Sequence, residues 1–430
     1  MPAIELDAAN LDLSVFIEPN DTVIWTQGTG EPETLTKALA DQREHLGGIR
    51  AFLGSCFSDN IRPEHADHIQ FVGMGAIGKT RSFVKAGVLG IIPMHLTGIT
   101  ELFRTGQFKI DVVMLQASER SDGELSYGAA NSYLPDAIKH ASVVVAEIND
   151  QAPWTHSVTA LPRDKVDYIV RTSRPLLEVP SRGPTEIDMR IAERVTSYIP
   201  DGSILQIGIG SLTDAVASCL SSHRNLGLHS GIIGDGCLDL IEAGVINNVT
   251  KPIDTGVSVT GGLFGTERLF RFANENSAIR VDPVSHTHAL SVIGQFNRFV
   301  TVNSAIEVDL TGQINSEVAG GNYIGSIGGQ TDLVRGAVAS PNGRSLVVLP
   351  SRLGADGPSR IVSRLMGGVT STARADADTV ITEYGAAELR GKTIGERVRA
   401  MIAIAHPDIR EDLERSAYNE TFGVENLSAH

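Results

Sequence analysis

The chain has 430 residues, 42% of them hydrophobic and 20% charged, enough for at least two hydrophobic cores and unlike a disordered polymer. Its formal charge of -15 speaks against a general nucleic-acid-binding role. Three scattered cysteines, Cys56, Cys219 and Cys237, form neither a disulfide scaffold nor the CxxC pair of a structural zinc site. A reduced, cytoplasmic setting is therefore expected. The opening Met1-Pro2-Ala3-Ile4-Glu5-Leu6-Asp7 does not read as an export signal, and no apolar run approaches membrane-spanning length.

Along the chain, short β-branched runs end in glycine turns and give way to helical patterns. Val23-Ile24-Trp25 leads through Gln27-Gly28-Thr29-Gly30 to Pro32, with Leu35, Ala38 and Leu39 following at helical spacing. Pro32 suits a first helical turn, where no amide hydrogen is needed. Phe71-Val72 ends at Gly73-Met74-Gly75, and Val112-Val113-Met114-Leu115 and Val143-Val144-Val145-Ala146-Glu147 read as further strands. This alternation predicts an α/β architecture with largely parallel sheets. Pro175, Pro180, Gly183 and Pro184 mark a linker, which divides the chain into domains 1–184 and 185–430.

The second half opens on Thr185 and Asp188 at capping-box spacing, followed by Ile187, Ile191 and Val195 on one helix face. Ile204-Leu205-Gln206-Ile207 then precedes Gly208-Ile209-Gly210-Ser211, with Ser211 placed to cap the next helix. The spacing is not the dinucleotide fingerprint GxGxxG, and the Gly-Lys-Ser/Thr ending of a phosphate loop is absent. Gly231-Ile232-Ile233-Gly234-Asp235-Gly236 and Thr260-Gly261-Gly262-Leu263-Phe264-Gly265 allow close backbone approach, or simply tight turns. Asp282, His286 and His288 lack a metal-ligand frame, so no metal is expected. Cys56 has no histidine–carboxylate relay and reads as a core residue. No GxSxG elbow is present.

The segment Asn303-Ser304-Ala305-Ile306-Glu307-Val308-Asp309-Leu310 carries the most information. Ile306, Val308 and Leu310 alternate with Ala305, Glu307 and Asp309, giving a strand with one apolar face and one carrying two carboxylates. A glycine loop from Gly320 to Gln330 follows. Carboxylates beside backbone donors suit a nucleophilic centre; a half-exposed strand and surface turn is the plainer alternative. Arg397 and Arg410, near the end, read either as anion contacts or as salt-bridge partners of a terminal helix.

These motifs together resemble the acetyl-CoA hydrolase/transferase family, and most of all its 4-hydroxybutyrate CoA-transferase members. The most specific are Asn303 to Gln313, Gly328-Gly329-Gln330-Thr331-Asp332 and Ile381-Thr382-Glu383-Tyr384-Gly385. The resemblance spans nearly the whole chain. It implies two related open α/β domains of the CoA-transferase type and an enzyme that moves coenzyme A between a short-chain acyl-CoA and a free acid. It places the nucleophilic carboxylate on Glu307, with Glu317 as the alternative and Asp309 in orientation or electrostatics. Asn303, Gly261, Gly262 and Gln330 would support substrate and oxyanion, Gly328 and Gly329 would contact coenzyme A, and Lys79 or Arg298 would meet its phosphates. Coenzyme A and acyl-CoA would be substrates, with no tightly bound cofactor, and the chain would form a homodimer. Thioester hydrolysis and a noncatalytic CoA-binding role are the competing readings.

Overall fold

The computed structural model describes residues 3–354, 356–365 and 368–419. These fall into two compact units, one of residues 3–180, 229–235 and 256–289, the other of residues 181–228, 236–255 and 290–419.

In the first unit the strands are Ile4–Leu6 (β1), Thr22–Trp25 (β2), Ile49–Leu53 (β3), Ile69–Gly73 (β4), Leu89–Ile91 (β5), Val112–Glu119 (β6), Leu125–Ser126 (β7), Val143–Asn149 (β8) and Tyr168–Thr172 (β9). They run in the order β1-β9-β8-β6-β2-β3-β4-β5, all parallel, with β7 antiparallel at β6. Alternate residues feed opposite cores. Val23, Ala51, Val112 and Met114 pack into one, while Ile24, Phe52, Val113 and Leu115 pack into the other. A sheet covered on both faces needs apolar residues at every position, which is why these strands read as unbroken apolar runs. Helix α1 (Glu33–Gln42) begins after Pro32 and buries Leu35 and Leu39 on the first core.

In the second unit the linker leads into α2 (Glu186–Thr196), and the expected capping box is present: the Thr185 amide donates to Asp188 Oδ2 at 2.9 Å and the Asp188 amide to Thr185 Oγ1 at 3.2 Å. Strand β10 (Ile204–Ile207) ends at a glycine turn before α3 (Ser211–Cys219). Ser211 is not that helix's cap. Gly210 takes the capping position at φ 121°, and the Ser211 hydroxyl donates instead to Asp188 at 2.5 Å. Strands β11 (Gly227–Ser230), β12 (Ser258–Thr260) and β13 (Ile279–Val281) follow. Gly227 and Leu228 pair with β10 in the second unit, while His229 and Ser230 pair with β12, and β12 with β13, in the first.

The second unit's main ladder continues from β10 to β14 (Phe299–Ser304), with two shorter groups branching from the chain beyond it. These are β15 (Glu307–Asp309) with β16 (Ile314–Asn315), and the hairpin β17 (Val318–Ala319) with β18 (Asn322–Tyr323). After helix α4 (Gln330–Ala339) come β19 (Arg344–Val348), β20 (Ile361–Val362), β21 (Thr379–Thr382), β22 (Gly385–Glu388) and α5 (Ile394–Ile404). The ladder runs β10-β14-β19-β21-β22, parallel except for β22. The small sheet runs β16-β15-β20. The expected α/β class with largely parallel sheets is what the chain adopts. Among the described residues no helix is long and apolar enough to cross a membrane.

Candidate active site

The carboxylate segment is two strands rather than one. β14 ends at Ser304; Ala305 still donates to Val348 O at 3.3 Å, but Ile306 donates to Asn315 O at 2.8 Å, so the chain leaves the large ladder and enters the small sheet. There β15 is flanked by β16 on one side and β20 on the other. Val308 lies opposite Ile314 and Ile361, and all three are fully buried in one cluster. Glu307, one residue earlier, is turned to the other face and lies opposite Asn315. The expected alternation puts an apolar residue inward and a carboxylate outward, as a period of two requires.

Glu307 is half-buried, and its Oε1 accepts from Asn315 Nδ2 at 3.0 Å. Its other oxygen makes no hydrogen bond among the described residues. Asn315 is fully buried and uses its whole amide: Nδ2 also donates to Val318 O at 2.7 Å, and Oδ1 accepts from the amides of Glu317 at 2.9 Å and Val318 at 3.0 Å. With each amide atom so fixed, the NH2 group can only face Glu307. Gly368 covers this contact; a Cβ there would lie 3.0 Å from both Glu307 Oε1 and Asn315 Nδ2.

Glu317, the alternative carboxylate, is differently placed. It is buried, with Oε1 accepting from Ser371 Oγ at 2.6 Å and Oε2 from the Tyr323 hydroxyl. Both oxygens are occupied. Burial, and then the Glu317 carboxylate, push the Tyr323 phenol well above its ordinary range, so it stays a donor. Asp309 is a turn-maker. Its Oδ1 accepts from the Thr311 amide, the Thr311 hydroxyl and the Gln313 amide at 2.8, 2.8 and 3.0 Å, an Asx-type arrangement that bends the chain into β16.

The glycine loop ends at the N-terminus of α4. Gly328 has φ 52° and Gly329 caps the helix. Neither amide hydrogen-bonds among the described residues, so both remain available at the positive end of the helix. Gln330 Oε1 accepts from the Ser316 hydroxyl at 2.8 Å, and its buried Nε2 has no partner among the described residues. Ser316 adjoins Asn315, so Gln330 is tied to the segment that holds Glu307. Asn303 forms an amide–amide pair with Gln206, at 2.9 and 3.3 Å, joining β14 to β10.

Gly261 and Gly262 belong to the first unit, and their amides are occupied. Gly261 donates to Gly231 O at 3.0 Å and Gly262 to Thr260 Oγ1 at 3.3 Å. A Cβ on Gly231 would meet His288 Cε1 at 2.7 Å, so the glycine is required by packing. Nearby, Asp282 is held by Arg280 at 2.8 Å and by the Val158 amide at 2.7 Å. Cys56 is buried, and that burial, reinforced by Glu31, raises its thiol pKa, as suits a core residue. Lys79 is paired with Asp59 at 2.7 Å, Arg298 donates to Asp201 O at 3.3 Å, Arg397 to the carbonyls of Arg374 and Thr311 at 2.7 and 3.1 Å, and Arg410 to Ala405 O at 3.0 Å. No local spacing in the sequence marks Asn315, Ser371 or Tyr323, whose roles here are set by hydrogen bonds to the carboxylates of Glu307 and Glu317.

Residues 9–178 match the acetyl-CoA hydrolase/transferase N-terminal domain and residues 265–417 the C-terminal domain of the same family. A 4-hydroxybutyrate coenzyme A transferase of Clostridium kluyveri is 36% identical over 405 residues, covering 92% of this chain and 94% of that protein. The chain belongs to the acetyl-CoA hydrolase/transferase family. Within it, a succinyl-CoA:cyclohexane-1-carboxylate CoA transferase of Geobacter metallireducens is 32% identical over 95% of this chain and 94% of its own length. Among solved structures, a 4-hydroxybutyrate CoA-transferase of Porphyromonas gingivalis superimposes with a TM-score of 0.81 at 32% identity, covering 97% of each chain. The family and these relatives place the chain in CoA-transfer chemistry.

Proposed function

We propose that this chain is a CoA-transferase that exchanges coenzyme A between a short-chain acyl-CoA and a free carboxylic acid, with Glu307 as the temporary carrier. The observation that carries the choice of residue is the contrast between two neighbouring carboxylates. Among the described residues Glu307 is held by one oxygen only, whereas both Glu317 oxygens are bound by hydroxyl groups. A nucleophile needs a free lone pair and a fixed orientation.

Glu307 attacks the acyl-CoA carbonyl and expels coenzyme A thiolate, forming an acyl-glutamyl anhydride. The thiolate then attacks the glutamyl carbonyl, releasing the first acid and leaving a glutamyl-CoA thioester. A second acid attacks this thioester, and the returning thiolate takes the new acyl group and frees Glu307. Covalent storage divides one poorly oriented exchange into steps that each have a good leaving group. Each tetrahedral oxyanion needs preorganised donors, and the amides of Gly328 and Gly329, unbonded among the described residues, are the first assignment, with coenzyme A contact alongside. Gly261 and Gly262 would have to exchange existing bonds to serve. Gln330 and Asn303 support the segment around the carboxylate.

Transfer is favoured over hydrolysis because the most similar relatives described above carry transferase names over nearly their full length. The reading includes a cytoplasmic homodimer, which the free thiols suit and sedimentation and fractionation test. Acyl-CoA is incubated with acetate and both CoA esters are followed. Acid-dependent formation of acetyl-CoA is expected. Loss of the ester without a new one means hydrolysis, and neither, over a broad acyl panel, means a binding protein. Glu307→Gln should abolish exchange and leave the thermal melt unchanged.

A further inference from the structure

The first unit holds a cavity of its own beside the hairpin that joins β6 to β7. It has a volume of about 440 Å3, inside the roughly 300–1,000 Å3 typical of small-molecule sites, and Glu124, Tyr127, Trp154, His156, Thr159 and Arg163 are among its lining. Every lining residue belongs to this unit. Hydrogen bonds fix the loop that forms one wall. The Thr155 amide donates to Ser126 Oγ at 2.9 Å and its hydroxyl to Gly128 O at 2.7 Å. The Trp154 amide donates to Asn274 Oδ1 at 2.8 Å, and the Val281 amide to His156 O at 2.9 Å. Trp154 Nε1 donates to Glu124 O at 3.1 Å and ties the loop to the hairpin. The walls are set before a ligand arrives, which lowers the ordering cost of binding.

The ionic groups of the hairpin neutralise one another. Arg120 pairs with Asp122 and with Glu124, both at 2.6 Å, while Glu119 takes Arg171 at 2.6 Å and also Arg163. What remains unpartnered among the described residues is neutral or aromatic: the Tyr127 hydroxyl, the His156 imidazole and the Thr159 hydroxyl. Tyr127 comes from the core, where its ring packs, and is only 3% exposed; its hydroxyl is nevertheless not sealed off. Burial, and then Asp136, hold its phenol well above the ordinary range, so it stays a donor. The Arg120 guanidinium lies over the Trp154 ring at 4.4 Å, and His156 stands at 90° to that ring with centroids 5.0 Å apart. Two perpendicular rings make a corner in which a flat ring meets one face-on and the other edge-on, both favourable aromatic arrangements.

We infer that this cavity binds an uncharged aromatic molecule bearing a hydrogen-bonding group, its ring against Trp154 and His156 and its polar group on the Tyr127 hydroxyl. The flat ring follows from the aromatic corner. The lack of charge follows from the ion pairs, which leave no counter-charge for a desolvated ion. The polar group follows from a buried hydroxyl that gains a bond only when a ligand supplies it. The site draws on no residue of the Glu307 segment, so it holds whichever carboxylate carries coenzyme A.

Trp25 and Trp154 are the two tryptophans of the chain, and Trp25 is buried in the core, so one of two indole N–H resonances reports on the cavity. The full-length protein, with nitrogen-labelled tryptophan, is titrated with phenol, cyclohexanol and benzoate, and Trp154→Phe assigns the signals. Phenol should shift the Trp154 resonance saturably and leave that of Trp25 in place. Cyclohexanol, which keeps the hydroxyl and loses the aromatic ring, should bind about threefold or more weakly. Benzoate, which keeps the ring and adds a charge, should bind about tenfold or more weakly. Tyr127→Phe keeps the packed ring and should weaken phenol by about threefold to tenfold with a native melt, and His156→Ala should weaken it as well. No saturable shift with phenol overturns the inference. So does cyclohexanol or benzoate binding as tightly as phenol, and so does phenol affinity unchanged in Tyr127→Phe and His156→Ala.

Discussion

Replacing Asn315 with alanine removes a fully buried amide that makes four hydrogen bonds. Glu307 is half-buried and regains water, so its lost bond costs orientation more than stability. The Glu317 and Val318 amides, both in buried residues, are left without an acceptor, and Val318 O without a donor. At about 1–3 kcal/mol for each buried group left unsatisfied, two amides give a loss of roughly 2–6 kcal/mol, and about 4 is the central expectation. Asn315→Asp separates the two effects. It keeps the acceptor for both amides but presents a second carboxylate to Glu307, so it should lose less stability than alanine and lose exchange activity increasingly as the two carboxylates ionise. Urea unfolding followed by circular dichroism measures the first, and the acyl-CoA:acetate exchange rate from pH 5 to pH 8 the second. A destabilisation under about 1 kcal/mol for Asn315→Ala would refute the reasoning that this side chain organises the segment.

Two further outcomes follow from groups around the fold. Glu31 is buried, and burial raises its carboxyl pKa against the hydroxyl bonds of Ser58 and Thr36. A raised folded pKa means its stabilising contribution is complete below the unfolded value of about 4.3 and is lost as pH climbs toward the folded value. Glu31→Gln should therefore gain thermal stability relative to wild type as pH rises from 4 to 8; a pH-independent difference contradicts this. Gly325 donates to Glu317 O at 2.9 Å, and an added Cβ would overlap the Ser316 carbonyl oxygen. Gly325→Ala should cost about 1–3 kcal/mol and slow exchange, since the shift falls on the backbone beside Asn315; a melt and rate equal to wild type argue against it.

The α/β class was legible because the first unit's sheet is apolar on both faces, so Val112 to Leu115 and Val143 to Ala146 read as strands without help from the rest of the chain. The Thr185–Asp188 box was legible for a similar reason: its partners are three residues apart. Ser211 misled because its hydroxyl is drawn to Asp188, leaving the cap to Gly210. Asp309 misled in another way. Strict alternation gives it the same face as Glu307, but the Thr311 and Gln313 amides capture its carboxylate. The β15–β20 pairing was not legible, since it joins distant segments and no local period reports a non-local parallel register.

The most direct test of the central claim is covalent. The active protein is mixed with acyl-CoA, quenched within a turnover, digested, and the CoA-bearing peptide located by mass. Attachment at Glu307 is the predicted result, with none in Glu307→Gln. Attachment at Glu317 or elsewhere, or no adduct in a preparation that demonstrably exchanges coenzyme A, contradicts the account.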